Sequence, residues 1–420
     1  MLHPVAFGVG AAILTALSLY GTLRNGLSFT PDSWAFWQIS VSLLSGHGYR
    51  YADGYPVVFW PPGFAGYLAV WQAMFGISVG TLVKAQIALG AFAALSWTAL
   101  ALSIGNSDSH PRLASGVVTA LLIAAAVGRS FQSPWANFAL FALIPWLLWA
   151  IVRLDGARTS SGTLLDAGLA TLALLLMLLA HNSAIAFLPP LLAVALTRKG
   201  VLRWSAAAIV LIAPLIWWVV RGLLGQRESV EWIGGRHSLK DYVRQLWFGI
   251  GEPFGSQFVP GAILVILVLA LIPWRKLSRA QLLAFATSVA ACIGLVCVFS
   301  LVWIWDGLYQ RFTLFFPLTL ISLIGTTFLL HKGWLRIAAV IVVIGSTALT
   351  AINSVSQLVE ASSRRAPAAV DVLDTSVLPV NATISPDASA GGSFVLVEPP
   401  KIPRDHAEMM QLLATGRYGR

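Results

Sequence analysis

The sequence predicts an all-α polytopic membrane protein: a bundle of about 11–12 transmembrane segments, with an interfacial helix in the first external loop and a short external C-terminal tail. Three observations carry that expectation. The chain of 420 residues is 57% hydrophobic and only 10% charged, whereas soluble domains carry about one quarter charged residues. Apolar runs recur through residue 352, each near the roughly 17–25 residues that a helix needs to cross hydrocarbon. Leu, Ala and Ile dominate those runs, without the alternating pattern of an outer-membrane barrel.

In order, the apolar runs fall near 5–22, 63–78, 82–104, 113–128, 134–152, 163–180, 183–197, 203–220, 258–274, 281–303, 313–330 and 336–352. Between them lie five short loops, 105–112, 153–158, 198–203, 275–279 and 331–336, that together hold 11 Lys or Arg against 2 Asp or Glu. The tail from 353 holds 6 basic and 7 acidic residues, and the opening loop 23–60 holds 2 of each. The net charge of +10 therefore sits in short turns, as the positive-inside rule expects of cytoplasmic loops. No contiguous basic face is left for nucleic acid. The chain then divides into a membrane domain, 1–352, and a small extracytoplasmic tail, 353–420. Its external breaks are 23–60, 129–133, 181–182, 221–257 and 305–312.

That assignment contains a parity conflict. Starting outside at residue 60, crossings at both 63–78 and 82–104 would put the basic loop 105–112 outside as well. Either one of these segments fails to span, or the loop "GNSDSHPR" is external and a later short segment does not cross. The segment 63–78 is the shortest in its neighbourhood and follows Pro61 and Pro62, which suits a re-entrant half-span shielded by protein and 11 full crossings. The N-terminal "MLHPVAFGVGAAILTALSLYGTL" lacks a basic leader and a small-residue cleavage site, and reads as a retained first span. Cys292 and Cys297 fall inside an apolar run and read as small buried hydrophobes. In the tail, "SFVLV" is strand-like and 405–413 suits a helix.

The stretch "SFTPDSWAFWQISVSLLSGHGYRYADGYPVVFWPPGF", 28–64, breaks the apolar pattern, and its Asp32 and Asp53 are the only acidic residues in the first hundred. Trp34, Trp37, Val41 and Leu44 recur at spacings of three and four, predicting an amphipathic helix over 33–44 that lies in the membrane interface. Asp32 precedes it and has two readings. It is either an N-cap, or a carboxylate at the water–lipid boundary that serves as base or metal ligand. Gly46, Gly48 and Gly54 set turns, and "YP" at 55–56 with "WPPGF" at 60–64 stiffen the chain before it re-enters the membrane.

Two later external stretches add charge. In 221–257, Arg236, Lys240 and Arg244 repeat every four residues, a basic stripe suited to a phosphate or to lipid headgroups. His237 and Asp241, four apart, are either metal-ligand types on one helical face or a surface pair. In "WDGLYQRFTLFFP", 305–317, Arg311 stands at the mouth of an apolar helix near Asp306 and Tyr309 and is the favoured anion contact. Arg129, Lys84, His181 and Asn182 read as core or interfacial residues. The only ionisable group well inside a span is Asp166, near its cytoplasmic end. That scarcity disfavours an ion-coupled transporter, which needs polar groups at mid-membrane.

At this point the residues resemble a known family. Asp32, "LLSGHGY" at 43–49 and "WPPGF" at 60–64 look like the first external loop of the GT-C superfamily of polytopic glycosyltransferases. The closest flavour is the bacterial group related to protein O-mannosyltransferases and lipid A aminoarabinose transferases. The tight match covers about 50 residues, and "YQRFTLFFP" agrees loosely. The resemblance implies a sugar donor linked to polyprenyl phosphate and an envelope lipid, glycan or protein as acceptor. It implies transfer at the outer face of the plasma (inner) membrane. It makes Asp32 the catalytic carboxylate, with a divalent metal cation as a possible companion, and Arg311 the contact to the donor phosphate, helped by Arg236 and Lys240. Trp34, Trp37, Tyr49 and Tyr55 would stack on sugar or anchor the loop, with Trp60, Tyr309, His237 and Asp241 as further lining. Many members have an Asp after "Ser-Pro" near the fourth helix, where this chain has "SPWANF" and Asn137. Asn cannot act as a base and binds cations less well. The rival readings are an O-antigen-type polymerase or ligase, which leaves the motif at 32–62 unexplained, and a flippase or transporter for lipid-linked sugars.

Overall fold

The computed structural model describes residues 4–23, 31–51, 54, 56–57, 60–105, 112–131, 135–225, 239–241, 243–244, 266, 268–298, 313–330, 332–333, 337, 340–341, 383–386 and 394–397. At Asp32, Trp34 and Arg129 it gives the backbone alone. The helices are α1 (Pro4–Leu23), α2 (Pro31–Leu44), α3 (Pro62–Phe75), α4 (Val79–Ile104), α5 (Arg112–Ser130), α6 (Ala136–Gly156) and α7 (Ser160–Ala180). A 3-10 turn, Asn182–Phe187, leads into α8 (Leu188–Leu196), followed by α9 (Val201–Leu223), α10 (Arg279–Cys297) and α11 (Phe315–Thr327). Among the described residues six helices, α1, α4, α6, α7, α9 and α10, are long and apolar enough to cross a membrane. Their outward faces carry the side chains expected against lipid, among them Val5, Ile13 and Leu17 on α1 and Leu215, Trp218 and Leu223 on α9. The chain is a multi-pass helical membrane protein.

The described parts of the basic loops, with the helix ends beside them, meet on one face. The Ser278 hydroxyl donates to the Ile104 carbonyl at 2.7 Å and also caps α10 in a capping box with Gln281. Gln281 in turn donates to Thr326 on α11 at 3.1 Å, and Lys276 donates to the Leu330 carbonyl at 2.9 Å. Asp155 takes two donors from Arg279, Nη2 to Oδ1 and Nε to Oδ2, each at 2.7 Å. Such forked Arg–carboxylate pairs are strong and directional. Arg198 lies 3.6 Å from the same carboxylate and donates to the Asp155 and Ala157 carbonyls. Arg153 pairs with the buried Asp166 at 2.8 Å, so that carboxylate is neutralised near the basic end of α7.

From that face the helices alternate. α1 and α5 rise together, with Phe7 against Gly116, Thr15 donating to the Ala124 carbonyl and Ser18 against Gly128. α4 runs the other way, from Gln86, which donates to the Phe131 carbonyl at the top of α5, down to Ile104 among the basic loops. At the centre the Trp97 indole is fully buried and donates to the Phe141 carbonyl at 3.0 Å.

α3 settles the parity conflict. At 14 residues it is about 21 Å long, short of the roughly 30 Å of hydrocarbon. Gly63 at its start packs on the backbone of Leu179 and Ala180, at the top of α7. Its last residue, Phe75, accepts from Thr81 and lies under Lys84, at the top of α4. Both ends of α3 are therefore on the face opposite the basic loops. The half-span reading holds, and α4 is the helix that crosses.

Three expectations change. α2 begins at Pro31, so Asp32 lies inside the first helical turn instead of preceding it. Residues 35–40 of α2 are buried on every side, which encloses the helix among its neighbours where the sequence placed one apolar stripe in the interface. Cys292 is buried as expected, but Cys297 is exposed. In the tail, Phe394–Val397 forms a strand as "SFVLV" predicts, and it pairs antiparallel with Thr383–Pro386, which the sequence did not single out. The segment 405–413 lies outside the described residues.

In a chain lacking Cys292 and Cys297, an impermeant maleimide is expected to label Ser45→Cys and Gly80→Cys from one side of the membrane and Ser160→Cys from the other. Labelling of positions 45 and 80 from opposite sides would mean that α3 crosses. Asp155→Ala is expected to lower the thermal midpoint of the purified protein by several degrees, because two arginines lose the carboxylate that ties α6, α8 and α10 together.

Candidate active site

The site is built from the stretch that broke the apolar pattern. α2 and α3 lie side by side and run the same way: Phe36 meets Phe64 edge-on at 5.0 Å, and one turn further Ser40 donates to Gln72 Oε1 at 3.1 Å. Two helices can run parallel only if the link between them returns the full length of the first. Residues 45–61 make that return. Gly46, Gly48 and Gly54 adopt φ of 76°, 80° and 85°, a conformation that costs glycine little and L side chains much. The turns expected at those glycines are present. An isolated bridge between Arg50 and Pro56 narrows the link.

Aromatic side chains fix the end of the return. The Tyr49 hydroxyl donates to the Trp60 carbonyl at 2.6 Å, and the Trp60 ring packs on Phe36 at 5.2 Å. Burial, reinforced by Tyr51, holds the Tyr49 phenol well above its ordinary range, so it stays protonated and keeps donating. Tyr49 is thus a strut of the loop, with Trp60 half-buried beside it. Asp32 lies one turn before Phe36 on α2. Its backbone therefore stands at the end of the pair where Trp60, Pro61 and Gly63 turn into α3.

Next to that end is the top of α7. Gly63 is forced there by contact: a Cβ would come within 2.6 Å of the Leu179 carbonyl oxygen. The chain then leaves α7 through His181, whose Nδ1 accepts from the Ser183 N–H at 3.1 Å and meets its hydroxyl at 2.8 Å. His181 and Asn182 are buried, and the expected core role fits both. Below them an aromatic layer closes the bundle, Phe315 lying 5.0 Å from Phe187 and 6.5 Å from Phe141.

Asn137, one turn above Phe141 on α6, is 4% exposed, and its Nδ2 has no hydrogen-bond partner. A buried amide donor left without an acceptor is costly, so this is a place that a polar ligand atom would improve. Thr313, just before α11, is fully buried with an equally unpartnered hydroxyl. Thr313 was not singled out by sequence; a hydroxyl two residues past Arg311 was the available signal. Gln72 was also missed. A lone amide inside "YLAVWQAMF" was the signal there, and its Nδ-like donor, Nε2, is buried without a partner.

Of the remaining expected residues, Lys240 and Arg244 are exposed on a helical stretch, with Asp241 partly buried between them. Arg311, Tyr309, Arg236, His237, Tyr55 and Asp53 lie outside the described residues. Lys84 takes the interfacial role expected of it, 5.2 Å above the Phe75 ring. Among the described residues no three His, Cys, Asp or Glu side chains come together in a metal-binding group.

No family model matches the chain, and no curated protein does. Among solved structures the chain is similar to ArnT from Cupriavidus metallidurans in the apo state, at 13% identity over 85% of this chain and 75% of that one, with a TM-score of 0.44. The structure of that protein bound to undecaprenyl phosphate gives 14% identity with the same coverage and TM-score. The archaeal oligosaccharyltransferase AglB from Archaeoglobus fulgidus, in complex with an inhibitory peptide and a dolichol-phosphate, gives 13% identity and a TM-score of 0.46. That match covers 84% of this chain and 56% of AglB.

Tyr49→Phe is expected to cost about 1 kcal/mol of stability, the net worth of one hydrogen bond, as read by thermal unfolding. Gly63→Ala is expected to cost more, since its methyl meets backbone that cannot give way. It should also loosen residues 45–61, read as faster proteolysis of that link.

Proposed function

We propose that this protein is a glycosyltransferase that moves a sugar from a polyprenyl-phosphate donor to an envelope lipid, glycan or protein at the outer face of the membrane. One observation carries the reading: the described residues of the stretch that bears the family-like motif, from Asp32 to "WPPGF", lie on the face opposite the one where the described ends of the basic loops gather. Because basic loops stay in the cytoplasm, that face is external. A polyprenyl phosphate already resides in the bilayer, so its sugar is delivered to this boundary without a nucleotide-binding domain.

In this mechanism the Asp32 carboxylate takes the proton of the acceptor hydroxyl as its oxygen attacks the anomeric carbon. The bond from that carbon to the phosphate oxygen breaks in the same displacement, and the sugar inverts. The donor phosphodiester already carries one negative charge and the departing phosphate gains a second, which Arg311, with Arg236 and Lys240, would stabilise as it grows. The unpartnered amide of Asn137 suits a hydrogen bond to a sugar or acceptor oxygen. Neither a general acid nor a covalent intermediate is required, because a phosphate monoester held by cations leaves without being protonated.

The test is transfer by the full chain in liposomes that contain a polyprenyl-phosphate sugar, followed by analysis of the glycans it modifies. Asp32→Asn is expected to fold, with an unchanged thermal midpoint, and to lose activity by about a thousandfold or more, as befits removal of a general base. Full activity in that variant would remove Asp32 from the mechanism. The resemblance leaves a divalent cation beside Asp32 as one option, and a chelator arm tests it separately. Activity lost on chelation and restored by Mg²⁺ or Mn²⁺ supports the cation, and unchanged activity removes it.

A further inference from the structure

We infer that Arg221 and Trp217, at the outer end of α9, hold the phosphate of a membrane-embedded lipid. As a contact to the donor phosphate this rests on the transferase reading; as a lipid-phosphate site it stands on its own.

α7 and α9 rise side by side from the basic face, pinned where the Thr171 hydroxyl donates to the Ile209 carbonyl at 3.0 Å. Counting up from that contact, Arg221 stands about one helical turn beyond the level of Ala180. It is therefore in the tier where α3 meets α7 and the candidate active site lies. Its guanidinium sits 5.0 Å over the indole of Trp217, one turn below. Arg221 Nε and Trp217 Nε1 are both buried N–H donors, and neither has a hydrogen-bond partner.

The simplest role for such an arginine is to favour the C-terminal end of the helix dipole and to reach toward the headgroups. That accounts for the charge but leaves two donors unanswered. Arg198, the other described arginine with an unpartnered Nε, does not compare: its outer nitrogens already serve the Asp155 and Ala157 carbonyls at the basic face. Other described cations of the outer face are engaged, Lys84 on the Phe75 ring and Arg50 with the Gly54 carbonyl at 3.2 Å. At Arg221 a positive charge stands over an indole, each group holding a buried N–H without a partner, and the exposed ring of Trp218 adjoins them on α9. The ligand that meets those demands is an anionic oxygen cluster attached to a hydrocarbon chain, which is a lipid phosphate. An arginine fork matches phosphate geometry.

The test is native mass spectrometry of the full chain titrated with polyprenyl monophosphate, with phosphatidylglycerol, and with the uncharged polyprenol. Arg221→Gln is expected to weaken polyprenyl monophosphate binding about tenfold or more, and Trp217→Phe, which keeps the ring but removes the N–H, by several-fold. Arg221→Lys should recover part of the loss, which separates the site from a folding defect, and polyprenol should bind alike in all variants. Loss confined to the polyprenyl monophosphate assigns the site to the donor. Equal loss for phosphatidylglycerol assigns it to bilayer phospholipid. Unchanged binding of both phosphate lipids by Arg221→Gln overturns the inference. Because binding is read without turnover, the inference can fail while Asp32→Asn still abolishes transfer, and it can hold in a chain that transfers nothing.

Discussion

A helix of 14 residues cannot bridge the hydrocarbon, and the placement of α3 follows from that length. It enters beside the top of α7 and leaves into the top of α4, so both of its ends lie on one face. This single constraint keeps α2 and α3 together on that face. It also fixes the direction of α4, and through α4 the direction of every helix that packs on it.

The opposite face is organised by charge. Asp155 draws Arg279 and Arg198 into one cluster, Asp166 holds Arg153, and Ser278 ties α10 to the end of α4. Individually, exposed ion pairs contribute little. Asp155 differs because its carboxylate is mostly enclosed and serves several helix ends at once. It locks together the lower ends of α6, α8 and α10.

Much of this was legible in the sequence because it depends on composition and length. Apolar runs marked the helices, Lys and Arg marked the loops of one face, and the brevity of 63–78 after two prolines foretold the half-span. The glycines of "SGHGY" foretold turns, since positive φ is a property of the residue itself. Less legible was whatever depends on neighbours. The spacing of Trp34, Trp37, Val41 and Leu44 resembles an interfacial stripe, yet α3 and the return loop bury the rest of α2, and periodicity cannot see a partner supplied 30 residues later. Arg221 gave no motif to notice; its interest arises only because nothing accepts from it. The 3-10 turn after His181 was visible as a break between two apolar runs, but its Nδ1 cap was not.

The central claim is that a lipid-borne phosphate comes to the face where α2 and α3 lie. A polyprenyl phosphate with a photoreactive group next to the phosphate, crosslinked to the full chain in liposomes and mapped by peptide mass spectrometry, measures this most directly. The account predicts adducts in the first turns of α2, in residues 45–61 and at the outer end of α9. Adducts confined to the basic loops, near Asp155 and Ser278, would contradict it.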